Sequence, residues 1–149
     1  MISQTLTNSF KAELLLGVHD FRVGGDVFKL ALYTADADLG ADTPSYTTEG
    51  EVVGPGYTAG GVTLTSSGVS IQGRTACVTF SDVSFPGASF AARGALVYNS
   101  TPSADGLGGP VVNPSVAVLN FGEDRIASGG TLTIRFPLAS PEGALVRIA

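Results

Sequence analysis

Val116-Ala117-Val118-Leu119-Asn120-Phe121 is followed, after the polar stretch Gly122 to Gly130, by Thr131-Leu132-Thr133-Ile134-Arg135-Phe136. The first run is almost continuously apolar, as expected of a strand covered on both faces. The second alternates: Leu132, Ile134 and Phe136 fall on one side, and Thr131, Thr133 and Arg135 on the other. Successive Cβ atoms point to opposite faces of a pleated backbone, so this period of two marks a half-buried strand. The polar residues between the two runs read as a loop. The stretch therefore predicts a hairpin, with a central strand beside an outer one.

Working outward, the same pattern recurs. Downstream, Pro137 to Gly143 reads as a loop and Ala144-Leu145-Val146-Arg147-Ile148 as a closing strand. Upstream, Ser89 to Tyr98 predicts a strand with Phe90, Ala92, Gly94, Leu96 and Tyr98 on one face. A glycine inside such a strand implies close approach of a neighbouring backbone. Phe85-Pro86-Gly87 reads as a turn. Thr75 to Phe80 predicts a strand with Ala76, Val78 and Phe80 on one face. Val83 and Phe85 fall out of that register by one residue, which places a break near Ser81-Asp82. Shorter strands are expected at Glu51 to Val53, Gly61 to Thr65 and Val69 to Gln72. Asp26 to Tyr33 predicts a strand whose buried face is Phe28, Leu30 and Leu32. Thr34 to Gly50 and the Gly/Pro-rich run Gly54 to Gly61 read as loop and turn. Asn99 to Pro114 is the longest irregular stretch, a length that is usually functional or disordered.

One segment has helical spacing. Phe10, Leu14 and Val18, with Leu15 beside them, place a short amphipathic helix over about residues 8–17; Thr7 or Asn8 would cap it and Gly17 would end it. The whole is a mainly β reading: a single-domain β-sandwich or barrel over residues 1–149, jelly-roll-like, with one short N-terminal helix. No linker, internal repeat or second domain is visible.

Bulk composition agrees. The chain has 149 residues, enough to bury a core without staples. Charged residues are 14% and there are 20 Gly and 8 Pro, a balance that favours short strands and tight turns over helices. Net charge is −5 and the eight basic residues are scattered, so nucleic-acid binding and anionic membrane surfaces are disfavoured. No apolar run approaches the roughly 20 residues that span a bilayer. Met1 to Asn8 has neither the charged nor the apolar region of a signal peptide.

Candidate chemistry is sparse. His19 is the only histidine, and it lies beside Asp20 with no nucleophile motif nearby, so it reads as a surface or capping residue. A histidine-based metal site would lack a second imidazole. Asp36, Asp38 and Asp42 resemble a calcium loop, but positions six and twelve are Ala41 and Thr47 where an EF-hand has Gly and Glu. A solvated acidic loop is the better reading, with a weak calcium site as the alternative. Glu49/Glu51 and Glu123/Asp124 are adjacent acids in turn-rich segments, not a pair facing across a cleft. Gly54 to Gly61 lacks dinucleotide spacing, having Ala59 where a glycine is needed, and no P-loop lysine is present. Asn99-Ser100-Thr101 matches a glycosylation sequon by chance. Cys77, the only cysteine, reads as a small, partly buried residue. There is no Trp, leaving Tyr33, Tyr46, Tyr57 and Tyr98 as the tyrosines that could stack on a sugar. These residues give no catalytic, cofactor-binding or metal-binding assignment, and an enzyme is not expected.

Several segments resemble small virion structural proteins of tailed bacteriophages and prophages. They are Ser9 to Leu15, Gly17-Val18-His19-Asp20-Phe21, Asp26 to Thr34, Glu51 to Gly61, Ala92 to Asn99 and Ala117 to Gly122. Their order and spacing follow that family over most of the chain, while Asn99 to Val112 is longer and reads as an insertion. The resemblance implies a non-enzymatic particle component without cofactors, assembled in the host cytoplasm and located in the virion. A capsid decoration or cement protein is the first expectation, partnered by the major capsid protein or other virion proteins and forming a homo-oligomer. A neck, tail or fibre-base component is the second. A glycan-binding adhesion module is the alternative from another class.

Overall fold

The computed structural model describes residues 1–101 and 104–149, so Pro102 and Ser103 of the long irregular stretch lie outside the described residues. It is mainly β, as the sequence predicts. Eight strands, β1 (Thr5–Leu6), β2 (Phe28–Tyr33), β3 (Val62–Thr63), β4 (Ser70–Gln72), β5 (Thr75–Val78), β6 (Val83–Asn99), β7 (Ser115–Ile134) and β8 (Val146–Ile148), accompany one helix, α1 (Asn8–Leu15). The strands form a five-stranded antiparallel sheet in the order β1-β7-β6-β2-β3 and a three-stranded antiparallel sheet in the order β4-β5-β8.

The two sheets close on one core, which gives a β-sandwich-like architecture. Phe28, Leu30 and Leu32 of β2 meet Val78 of β5, Phe90 and Val97 of β6, Ile134 of β7 and Val146 of β8. Phe10 of α1 and Phe21 after it seal one end, with Phe21 stacked on Phe28 at 4.4 Å. The opposite face of the five-stranded sheet is covered too. Ala31, Tyr33, Leu96, Tyr98 and Val118 pack under Ile2, Ala37 and Leu39 of the N-terminal strap and the loop after β2. The expected face of β2 is therefore right, and its other face is buried as well.

The opening stretch forms differently from the expected hairpin. Val116 to Phe121 and Thr131 to Ile134 are the two ends of the single strand β7, and both pair with β6. The ribbon stays paired because bulges absorb the mismatch. Gly94 pairs with Asn120 and Ala92 with Arg125, so Phe121, Gly122, Glu123 and Asp124 stand opposite Arg93 alone. Further along, Gly129 is extra between Ser128 and Gly130, and Pro86-Gly87 bulge from β6 where a turn is expected. The polar run Gly122 to Gly130 is thus strand whose outward face is in solvent.

The bulge at Arg93 also shifts the phase of β6. Phe90 and Ala92 share the main core with Ala95 and Val97, while Leu96 and Tyr98 face the other layer, which corrects the predicted single face. Gly94 is close-packed as expected: a Cβ there would stand 2.5 Å from the Leu119 carbonyl oxygen. The break after β5 lies at Thr79–Asp82, and Glu51 makes one isolated bridge to Tyr33 rather than a strand.

Helix α1 ends where Gly17 (φ +76) lets the Val18 and Gly17 N–H groups donate back to the Glu13 and Leu14 carbonyls, a Schellman closure. Phe10, Leu14 and Val18 pack inward as expected, but Leu15 does not. Leu15 is 91% exposed, and Glu13 is buried in its place. Thr7 sits at the cap position but makes no side-chain cap; its hydroxyl accepts instead from Ser115 Oγ at 2.8 Å. Among the described residues no helix is long and apolar enough to cross a membrane.

Candidate functional site

Two buried polar clusters stand out. The first joins α1, the segment after it, the turn before β2 and the end of β6. His19 is buried against Phe10 at 5.0 Å, with Phe21 and Phe28 beyond. Its Nε2 lies 3.0 Å from Glu13 Oε1, and its Nδ1 lies 3.1 Å from Asn99 Nδ2. The Asn99 amide is held from both ends: Oδ1 accepts the Thr101 N–H at 2.9 Å, and Nδ2 donates to Asp26 Oδ2 at 2.8 Å. With Nδ2 facing the ring, His19 Nδ1 must accept, so the proton sits on Nε2 and is donated to Glu13. Burial pushes the His19 pKa below its ordinary value, against the opposing pull of Glu13 and then Asp26.

A neutral buried histidine makes acid destabilising. The unfolded chain takes up a proton near pH 6.5, while the folded ring does so only at lower pH. Stability is therefore full above about pH 6.5 and falls as pH drops through the interval down to the folded pKa. NMR titration of the single imidazole should give a midpoint below 6.5, and denaturant midpoints should decline in that same window. A midpoint above 6.5 would show that the pull of Glu13 and Asp26 outweighs burial, and the acid dependence would change sign.

The second cluster gathers all four tyrosines around one carboxylate. Glu51 is buried where the loop after β2 returns to the sheet. Its Oε1 accepts from Tyr57 OH at 2.6 Å and the Gly60 N–H at 2.7 Å, and Oε2 accepts from Tyr46 OH at 2.6 Å. Tyr98 stacks on Tyr46 at 4.9 Å and donates to the Gly60 carbonyl at 2.6 Å. Tyr33 donates to the Thr47 carbonyl at 2.6 Å. All four phenols are pushed above their ordinary pKa, burial being the largest cause, with the negative charge of Glu51 adding to it.

The residues singled out from the sequence are placed as follows. His19 is a core residue, not the expected surface or capping one, because Asn99 and Glu13 satisfy both its nitrogens. Asn99 is completely buried, so its sequon is closed to modification in the folded chain. Cys77 is buried in β5, with Sγ 3.6 Å from the Thr75 carbonyl. Asp38 is exposed, and its carboxylate lies 3.7 Å from the Met1 amino group. Glu49 is exposed and separate from buried Glu51. Asp124 pairs with Arg93, and Glu123 with Arg125, each at 2.8 Å on the solvent side of the ribbon. No group of three or more His, Cys, Asp or Glu is positioned for a metal among the described residues.

The main element missed from sequence is Glu13. It follows Phe10 at i+3, on the helix face that packs inward, and an acid inside that stripe is the signal that a buried partner exists. Chemically, both clusters are internal struts: each carboxylate, ring nitrogen and phenol of the two clusters has its partner within the chain. No protein-family model, curated protein or solved structure matches this chain.

Proposed function

We propose that this chain is a structural component that works through protein–protein contact, as a decoration or cement protein of a phage capsid. The virion assignment draws on the resemblance of the segments quoted above. The observation that carries the contact role is the outer edge of β7. From Arg125 to Thr133 this strand pairs with β6 on one side, and among the described residues no strand lies on its other side. Backbone N–H and C=O groups along a free edge are a template for another chain, and such edges are ordinarily blunted or covered. Its first part is blunted by the wide bulge and by Glu123, Asp124 and Arg125, but from Ile126 to Thr133 it carries no charged residue and no Pro and leaves Ile126 exposed. Assembly would cover it and, by binding only the folded state, add stability.

Purified particles of the source phage test the assignment by copy number, measured against the major capsid protein. A stoichiometry near that of the capsid protein is expected. A handful of copies would move the protein to the neck, tail or fibre base, and complete absence would remove it from the virion.

A further inference from the structure

A second surface is defined by charge. Between β1, the edge of the large sheet, and β8, an edge of the small one, two adjoining hollows of about 320 and 300 Å³ share Gln4, Leu119, Leu145 and Arg147. Each is at the lower end of the volume range of ligand-binding clefts. The floor is apolar and partly buried, formed by Leu119, Phe121 and Leu145. Arg135 and Arg147 stand on the rim. Arg147 is braced by donating to the Pro141 and Glu142 carbonyls, which fixes its guanidinium in place.

No carboxylate lines either hollow. Elsewhere in this chain of net charge −5, Arg22, Arg93 and Arg125 are each paired with an acid, and Arg74, on an exposed turn, is alone among the described residues. Arg135 and Arg147 have no such partner among the described residues. Two uncompensated guanidiniums above an apolar floor, at the meeting of two strand edges, complement an extended chain with acids and apolar side chains in alternation. Apolar residues would face Leu119 and Leu145, and carboxylates would meet the guanidiniums in bidentate fashion.

We infer that this groove binds an extended acidic peptide segment of a partner protein. A second copy is a poor occupant: its acidic loop from Asp36 to Asp42 contains one large apolar residue, Leu39, and that is buried in its own fold. The inference does not rest on the virion assignment and survives its failure.

The probe is an N-acetylated hexapeptide, Glu-Leu-Glu-Val-Glu-Leu, titrated into the full chain and followed by heteronuclear NMR. Expected are saturable shifts at the Leu119 and Leu145 amides and an affinity that falls with salt. Arg135→Glu should weaken binding at least tenfold; this side chain is exposed and makes no hydrogen bond that folding needs. Arg147→Gln should weaken it several-fold. Arg74→Glu, exposed on the turn between β4 and β5, should leave it unchanged. Four results would overturn the inference. They are absence of saturable shifts, equal binding of the analogue with Lys for Glu, equal binding of a hexathymidylate, or full affinity in Arg135→Glu.

Discussion

Gly61→Ala is expected to be the most damaging addition of a single methyl group anywhere in the chain. Gly61 follows the turn that brings the loop after β2 back along that strand, and its φ is +81. A Cβ there would stand 1.8 Å from the Leu30 carbonyl oxygen and 2.8 Å from the Ala31 Cα, both in the middle of β2. No rotamer relieves this, because the colliding atoms are backbone. Either β2 moves or the turn does, and β2 is packed on both faces. Moving the turn would break the Gly60 contacts to Glu51 and Tyr98. The left-handed conformation alone costs an alanine on the order of 1–2 kcal/mol. The clash raises the loss above about 4 kcal/mol, a range reserved for severe packing and backbone conflicts. For a chain of this size that is a fall in Tm of at least roughly 10 °C.

Gly73→Ala is the matched control. Gly73 also has positive φ (+63), yet nothing lies within 4 Å of the added carbon. Thermal unfolding of the two variants separates backbone strain from collision. Equal losses would show that the close approach of the turn to β2 is not real.

The second large effect is alkaline unfolding through the tyrosine cluster. A phenol whose folded pKa is raised contributes stability that is complete below its unfolded pKa, near 10, and is lost as pH rises toward the folded value. Tyr33, Tyr46, Tyr57 and Tyr98 all shift upward, so their contributions erode together above about pH 10. Absorbance at the phenolate band should therefore stay flat past the ordinary titration range and rise in one cooperative step that coincides with loss of β-sheet circular dichroism. Four phenols titrating independently near pH 10, with the fold intact, would contradict the cluster. Glu51→Ala should shift that step to lower pH. It also leaves Tyr46, Tyr57 and the Gly60 N–H without their acceptor, and each orphaned buried donor costs about 1–3 kcal/mol. Glu51→Gln keeps one acceptor and should lose distinctly less.

What is legible in the sequence is periodicity wherever it runs uninterrupted. Phe28, Leu30 and Leu32 lie on one face because no bulge interrupts β2. Leu132, Ile134 and Phe136 do the same beyond the last irregularity of the ribbon. Periodicity misleads at Phe90 to Tyr98, where the bulge opposite Phe121 to Asp124 shifts the phase by one residue. Bulges leave no pattern of their own; only the partner strand reveals them. Gly122 to Gly130 reads as a loop because an outward-facing ribbon has the composition of a loop. The polar clusters are hidden for another reason. Glu51 and its tyrosines are spread from Tyr33 to Tyr98, and His19 meets an asparagine 80 residues away. Spacing along the chain carries no trace of such meetings. Glu13 alone is within reach, as an acid in the inward stripe of a helix.

The pairing of the first strand with the seventh has a consequence for how the chain acquires its structure. β1 can join its sheet only when β7 exists, and the buried hydroxyl contact between Thr7 and Ser115 spans 108 residues. The small sheet likewise is complete only when β8 joins β5. On a ribosome, residues near the start would remain without their partners until most of the chain has emerged, leaving Ile2, Leu6 and Phe10 without their full packing in the meantime. Nucleation is then expected in the local β4–β5 hairpin and the near end of the β6–β7 pairing, with both sheets sealed late and folding slow for the chain's size. The same long closures should make unfolding slow, since releasing β1 or β8 means breaking contacts between distant parts of the chain.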